Sequence, residues 1–234
     1  MILLSILIPT IESRQESFLR LHQKLCDQIR RHALQPEVEI LTLPDNGQLS
    51  IGHKRNTLLA QARGAFVVFI DDDDDISDDY VRLITSAVLK HPEVDCLGIK
   101  GQITFRGRHP RLLVYSVRYQ EYHTEHGVYL RPPQHITPIK RGIAQRYKFA
   151  DTSYSEDYDW ALQMRRDRAL QCEYFLDEVL YYYFSRRRYA YQWLLDQTEF
   201  LRHSLGLQLV NRVRLRRWLA SPWAMKEGAK HAGE

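Results

Sequence analysis

Apolar residues in the first hundred positions fall into short runs and spaced stripes that alternate along the chain. "ILLSILI", residues 2–8, is an aliphatic run ended by Pro9, the pattern of a buried strand leaving a sheet. Phe18, Leu21, Leu25 and Ile29 then recur at helical spacing among charged residues, with Ser13 placed as the N-cap. "VEILTL" (38–43) reads as a second strand and "PDNG" (44–47) as a turn. Leu58, Leu59 and Ala62 mark the buried side of a second helix closed by Gly64, and "AFVVFI" (65–70) is a third buried strand. Strands and helices alternating at this length predict a parallel sheet with right-handed crossovers. Such sheets bind ligands beyond the carboxyl ends of their strands.

Past residue 95 the pattern loosens. "CLGIKGQITF", "LLVYSVRY" and "GVYLRPP" read as shorter strands separated by basic and aromatic loops. "SEDYDWALQMRRD" (155–167) reads as a helix with Ser155 as N-cap, acids in its first turn and arginines towards its end. "EYFLDEVLYYYFS" follows as one or two strands, then a helix through Trp193, Leu194 and Phe200. Without repeats or low-complexity linkers, the expectation is one α/β domain over 1–185 in two halves, 1–100 and 101–185, and a helical extension over 186–234.

At 234 residues, 44% hydrophobic and 26% charged, the composition is that of an ordinary globular protein with a substantial core. Cys26, Cys96 and Cys172 are widely spaced and match no zinc or CxxC pattern, which fits reduced thiols in a cytoplasm. The N-terminal apolar run is too short for a transmembrane span and lacks a secretory signal's basic flank. The net charge of +4 conceals an asymmetry: residues 186–234 carry ten Lys/Arg against four Asp/Glu, net +6, leaving −2 on residues 1–185. The basic tail, with Trp218 and Trp223 among its arginines, suits either DNA phosphates or an anionic membrane surface.

The densest chemistry lies directly after the third run, where seven of the nine residues 71–79 are aspartate. A solvated turn is the ordinary explanation of such a cluster. A calcium loop starting at Asp71 would need glycine where Ile76 stands and glutamate where Arg82 stands. A Mg²⁺ or Mn²⁺ ion, which takes one or two carboxylates and fills its shell with phosphate oxygens and water, would relieve the repulsion and make a diphosphate site.

Four segments in order, "SILIPT", "LPDNG", "KRNTLLAQARGAFVVFIDDDD" and "SEDYDW", resemble the family-2 glycosyltransferases of the GT-A fold over residues 2 to about 166. The resemblance implies a Rossmann-like, mostly parallel sheet flanked by helices, with a smaller acceptor-side lobe. It also implies inverting, metal-dependent hexosyl transfer from a UDP-type nucleotide sugar to a hydroxyl of a glycan or small molecule. In these terms Asp71 and Asp73 form a DxD motif, with Asp73 binding Mn²⁺ or Mg²⁺, Asp71 near the ribose and Asp72 beside the donor. The contiguous run also permits the register Asp72 and Asp74. Asp45 matches a residue that reads the base, and Thr10 and Glu12 match positions lining the nucleotide pocket. Lys54 and Arg55 stand where a cation reaches the diphosphate. Asp157 matches the general base, with Glu156 orienting the site. Trp160 is a candidate wall of the acceptor or sugar pocket, and His135 a candidate diphosphate or acceptor contact.

Each assignment has a plainer counterpart. Asp45 sits in a turn-forming sequence, Lys54 and Arg55 at a helix start, the "ED" acids where any helix favours negative charge, Trp160 where a core residue would, and His135 in a polar loop. Two rival functions also stand beside the first. One is glycosylation of hydroxymethylated bases in DNA, suggested by the tail; the other is a non-catalytic metal-binding or structural domain of the same fold.

Overall fold

The computed structural model describes residues 1–105 and 107–185. Three parallel strands form one end of its sheet. β1 (Leu4–Ile11), α1 (Gln15–Arg31), β2 (Val38–Asp45), α2 (Ile51–Gln61) and β3 (Phe66–Phe69) follow one another, and β2 and β3 pair parallel with opposite edges of β1. Strand order therefore reverses at β1, which creates a crevice at the carboxyl ends of β1 and β3.

The rest of the chain extends the same sheet. β4 (Asp75–Ile76) and α3 (Tyr80–Lys90) come first, then β5 (Cys96–Phe105), β6 (Arg108–Tyr115), β7 (His123–Glu125) and β8 (Val128–Arg131). β9 (Ile139–Lys140), α4 (Arg141–Ala144), α5 (Glu156–Arg166) and β10 (Glu173–Ser185) complete the described residues. The strand order is β2-β1-β3-β9-β5-β6-β8-β7, and β10 pairs with both β5 and β4. The sheet is mixed: β2-β1-β3 and the long β5-β10 pair are parallel, whereas β9 inserts antiparallel between β3 and β5.

Strand alternation divides the core between two faces. Leu4, Ile6 and Ile8 of β1 pack with Leu21, Leu25 and Ile29 of α1 and with Ile84 and Val88 of α3. Leu7, Val67 and Phe69 point the other way, into Leu58 and Leu59 of α2 and Trp160 and Met164 of α5. Each face thus takes every second residue, as a doubly covered sheet requires. Gln28, buried among the apolar residues of α1, donates to the Ser77 carbonyl (2.8 Å) and accepts the Val81 amide (2.9 Å), supplying the cap that α3 lacks from its own Asp79.

Several local expectations need correction. Ser13 lies inside a 3-10 turn (Glu12–Arg14), so α1 starts at Gln15 without a side-chain cap. Gly64 does not close α2, which ends at Gln61; its role is close approach, since a Cβ there would stand 2.5 Å from the Ser5 nitrogen. Ser155 precedes α5 in the left-handed conformation, φ 63°, and makes no capping bond. "EYFLDEVLYYYFS", expected as one or two strands, is one, its pairing with β5 broken by register shifts. β9 and α3 arise in stretches not read as elements. The expected helix through Trp193, Leu194 and Phe200, and the whole basic extension, lie outside the described residues.

Candidate active site

The segment "KRN" at residues 54–56 anchors the site from α2, each side chain in a different direction. Lys54, 1% exposed, donates from Nζ to the Thr10 carbonyl (2.6 Å) and to Asp45 Oδ1, tying together the ends of β1 and β2. Arg55, 2% exposed, donates from Nη2 to Asp71 Oδ1 (2.8 Å) and from Nη1 to Glu156 Oε1 (2.5 Å). Asn56 exchanges two hydrogen bonds with the Phe149 backbone, both 2.9 Å. The start of α2 is docked against residues 150–153 as well: the Gly52 amide reaches the Thr152 carbonyl (3.0 Å), and a Cβ at Gly52 would collide with the Ala150 carbonyl at 1.8 Å. Arg55 is thereby held facing the start of α5.

The aspartates coexist because they are dealt out to different partners. Asp71 takes Arg55, and its Oδ2 lies 3.5 Å from His135 Nε2. Asp72 and Asp73 share Arg14, whose Nη1 is 2.8 Å from one and 3.3 Å from the other. Asp74 turns inward, accepting the Tyr181 hydroxyl (2.7 Å) and the Phe184 amide (3.0 Å). Asp75 and Asp78 meet Lys24, both at 3.2 Å, and Asp79 meets Arg82 at 2.9 Å. A hydrogen bond from the Asp74 amide to the Asp71 carbonyl (3.2 Å) folds the run into a turn, so successive carboxylates leave it in different directions.

Around Arg55 the charges interlock. His135 lies between two carboxylates, with Nδ1 3.3 Å from Asp157 Oδ2. Burial and Arg55 disfavour its protonation, but Asp71 and Asp157 outweigh them and raise its pKa. Burial opposes ionisation of Asp157, yet His135 and then Arg55 hold it below the usual carboxylate range. Asp71 is lowered in the same way against burial, by Arg55 and then His135. Glu156 goes the other way, raised by burial and by Asp157 despite Arg55. Asp74 is raised by burial and by Asp71. The Leu49 amide and Lys54 lower Asp45 to about 2.

The structure thus brings Asp45, Lys54 and Thr10 to one corner and Arg55, Asp71, His135, Glu156 and Asp157 to another. Asp73 stands at the mouth with 22% of its side chain exposed, and Asp72 is buried beside Arg14. Glu12 is exposed in the 3-10 turn after β1. His135 belongs to the buried centre and not to a polar rim. Trp160 is not a pocket wall: it is 1% exposed, stacks on Phe149 (4.6 Å between centroids) and meets Phe69 edge-on. Among the described residues, the buried Thr10 Oγ1 and Arg55 Nε find no hydrogen-bond partner here, whereas the His135 ring nitrogens face only the carboxylates of Asp157 and Asp71. Such groups need an explanation, and a polar ligand supplies one.

Arg14 and Tyr181 were not foreseen. Arg14 follows β1 as Asp71 follows β3, so the strand-end rule applied to "TIESR" would have found it. Tyr181, which accepts the Asp71 amide (3.2 Å) while donating to Asp74, comes from a strand 110 residues later, and nothing in "LYYYFS" distinguishes it.

Among the described residues, no group of three His, Cys, Asp or Glu is arranged to hold a metal ion, and no helix is long and apolar enough to cross a membrane. Compared by sequence, the chain matches no family model and no curated protein. Compared by structure, it is similar to residues 1–349 of S. aureus TarS in complex with UDP-GlcNAc. That match has TM-score 0.55 and 19% identity over 80% of this chain, and it covers 59% of the TarS chain. The same protein in complex with UDP aligns with TM-score 0.55 and 16% identity, over 93% of this chain and 78% of the other. Mannosyl-3-phosphoglycerate synthase from Rubrobacter xylanophilus aligns with TM-score 0.50 and 13% identity, over 89% and 77%. The fold is that of the GT-A glycosyltransferases.

Proposed function

We propose that the protein is an inverting glycosyltransferase that moves a sugar from a nucleotide-diphosphate sugar to a hydroxyl of a glycan or small molecule. The observation that carries this reading is Arg55, which joins the strand-end carboxylate Asp71 to Glu156, 85 residues away, beside Asp157. One buried cation thereby unites the two acidic motifs that the reaction needs together. UDP and UDP-GlcNAc bound to a protein of the same fold favour a uridine donor and a hexosyl-type sugar.

In this reading Asp45, Thr10 and Glu12 bound the nucleotide end, and Asp71 and Asp72 flank the ribose and diphosphate. The acceptor oxygen attacks the anomeric carbon, the nucleotide diphosphate leaves from the opposite face, and the acceptor proton passes to the Asp157 carboxylate. That carboxylate is already in the ionised form that a base requires. Arg55 and His135 fix it relative to Asp71, and Lys54 fixes Asp45.

A divalent ion at the mouth of the site is part of this reading. Arg55, His135 and Lys54 each already face carboxylates, so an incoming diphosphate brings negative charge that these cations have no surplus to meet. Asp73 would hold Mn²⁺ or Mg²⁺ at the mouth as a single protein carboxylate, which is normal for ions that take their other ligands from phosphate and water. When bound, the ion supplies charge neutralisation to the departing diphosphate. Arg14 is the resident cation with which it shares that mouth.

The net +6 of residues 186–234 favours a second reading in which the acceptor is a modified base in DNA. A screen of nucleotide sugars by thermal shift, with and without Mn²⁺, tests the donor assignment. A ligand at a hundredfold excess over its Kd stabilises the native state by about 2.7 kcal/mol. The expected result is a metal-dependent shift with one nucleotide class; no shift with any donor contradicts the reading.

A further inference from the structure

Beside the candidate base a cleft of about 510 Å³ opens between α5, the segment before His135 and the loop after β6. That is an ordinary size for a ligand site. Its lining includes Pro132, Pro133, Ala161, Met164, Arg165 and Arg168.

Two walls of the cleft come from the chain segments that carry Asp157 and His135. On α5, Ala161, Met164 and Arg165 follow Asp157 by four, seven and eight positions, which keeps them on one side of the helix. Pro132 and Pro133 immediately precede the segment that carries His135, whose Nδ1 is 3.3 Å from Asp157 Oδ2. The cleft therefore starts about one helical turn along α5 from Asp157, which does not itself line it. At a rise of 1.5 Å per residue, Arg165 lies about 12 Å along the helix from Asp157, further than one sugar ring reaches.

The chemistry changes along that length. Near Asp157 the wall is apolar and closely packed, formed by Ala161, Met164 and the two prolines, all buried. At the far end it is cationic. Arg165 is half-buried, and its Nη1 donates to the Gln120 carbonyl, which fixes the guanidinium against the cleft wall. Among the described residues, neither Arg165 nor Arg168 is paired with a carboxylate. An exposed arginine is ordinarily just solvated. A half-buried one, anchored by a backbone carbonyl and facing a cleft beside a second arginine, has its remaining N–H groups positioned for a planar anion.

We infer that this cleft receives the acceptor and selects an anionic glycan, one carrying phosphate or carboxylate a sugar unit or more from the reacting hydroxyl. The inference rests on the glycosyl-transfer reading of Asp157.

The test is equilibrium binding of three trisaccharides of equal length by NMR titration. One is neutral, one carries a terminal phosphate and one a terminal uronic acid. Nucleotide-sugar binding is measured in parallel on the same samples. The charged trisaccharides should bind wild type about tenfold more tightly than the neutral one, the order expected of one charge-assisted hydrogen bond. Whichever of the two binds better identifies the anion. Arg165→Ala/Arg168→Ala should abolish the preference and leave nucleotide-sugar binding unchanged. Arg168→Glu, at an exposed position outside the Gln120 anchor, should reduce the preference without risk to the fold. Equal binding of all three, binding of none, or a preference that survives both variants overturns the inference. So does duplex DNA that displaces the charged trisaccharides and binds more tightly. A wild type that binds nucleotide sugar but ignores acceptor charge defeats the cleft alone. One that prefers charged trisaccharides but binds no nucleotide sugar defeats the transfer reading and retains an anionic-glycan site.

Discussion

Arg55→Met removes the cation at the centre of the site while keeping most of its volume between the rings of Phe69 and Phe149, which lie 5.8 and 5.6 Å from the guanidinium carbon. Two carboxylates lose a partner. Glu156 is the costlier, because its side chain is only 6% exposed and, among the described residues, Arg55 is its one ion pair; Asp71 is 28% exposed and keeps His135. Breaking a buried pair from one side costs about 3–5 kcal/mol. For a domain of this size that is a fall in Tm of roughly 6–20 °C.

The pH dependence carries the reasoning further. Glu156 is raised in the folded protein by burial, and losing Arg55 raises it more, so the variant pays its penalty above the folded pKa and is relieved as pH falls towards the unfolded value of 4.5. Asp71 is depressed in wild type, so its stabilising contribution is present above the unfolded pKa of 3.8 and is lost as pH falls through the folded pKa. The Glu156 effect narrows the gap between wild type and variant already near pH 4.5, and the Asp71 effect adds to it only below 3.8. Urea unfolding followed by circular dichroism, near pH 7.5 and near pH 4.5, should show a loss of about 3–5 kcal/mol at the first and distinctly less at the second. Glu156→Gln on the Arg55→Met background should recover part of it. A loss below about 1 kcal/mol, or one independent of pH, refutes the buried bridge.

Three further outcomes follow from the same geometry. Asp73→Asn should weaken nucleotide-sugar binding and abolish its dependence on Mn²⁺ without changing stability, as measured by calorimetry with and without EDTA; wild-type binding that is insensitive to EDTA contradicts the metal assignment. Tyr181→Phe should cost about 1–3 kcal/mol in urea unfolding, because the Asp74 carboxyl and the Asp71 amide both lose a buried partner. Changing Arg214, Arg216 and Arg217 to Ser should leave donor binding intact, whereas any retention of wild type on duplex DNA or on anionic vesicles should drop. If the partner is DNA, log K should fall with log salt at about −0.9 per phosphate neutralised, and a salt-independent interaction contradicts the electrostatic reading of the tail.

What the sequence disclosed, and what it hid, follows the range of the interactions. The alternation of apolar runs located β1, β2 and β3, and with them the strand ends that carry Thr10, Asp45 and Asp71, because burial on both faces writes itself into contiguous residues. Arg55 was legible through its neighbours in "KRN". Among the partners that hold the aspartates apart, Arg14 and Tyr181 were not, since they come from distant elements that only the sheet brings together, and His135 was picked out as a diphosphate or acceptor contact rather than as the partner of Asp71 and Asp157. Capping was misjudged where tertiary contact overrode local preference. Gly64 answers to the backbone of β1 rather than to the end of α2, and Ser155 is held in a left-handed turn that denies it a capping bond. Trp160 was a candidate pocket wall at a position more often taken by a core residue, and its stacking against Phe149 bears out the core.

The central claim is that Asp157 takes a proton from an acceptor while a nucleotide diphosphate departs. The most direct measurement is nucleotide-diphosphate release from the donor found by the binding screen, with wild type and Asp157→Asn compared and the product's anomeric configuration read by NMR. The expected result is inversion by wild type and a rate about 10²–10⁴ lower in Asp157→Asn, with donor binding nearly unchanged. Wild-type turnover in Asp157→Asn, or a product that retains the donor's configuration, contradicts it.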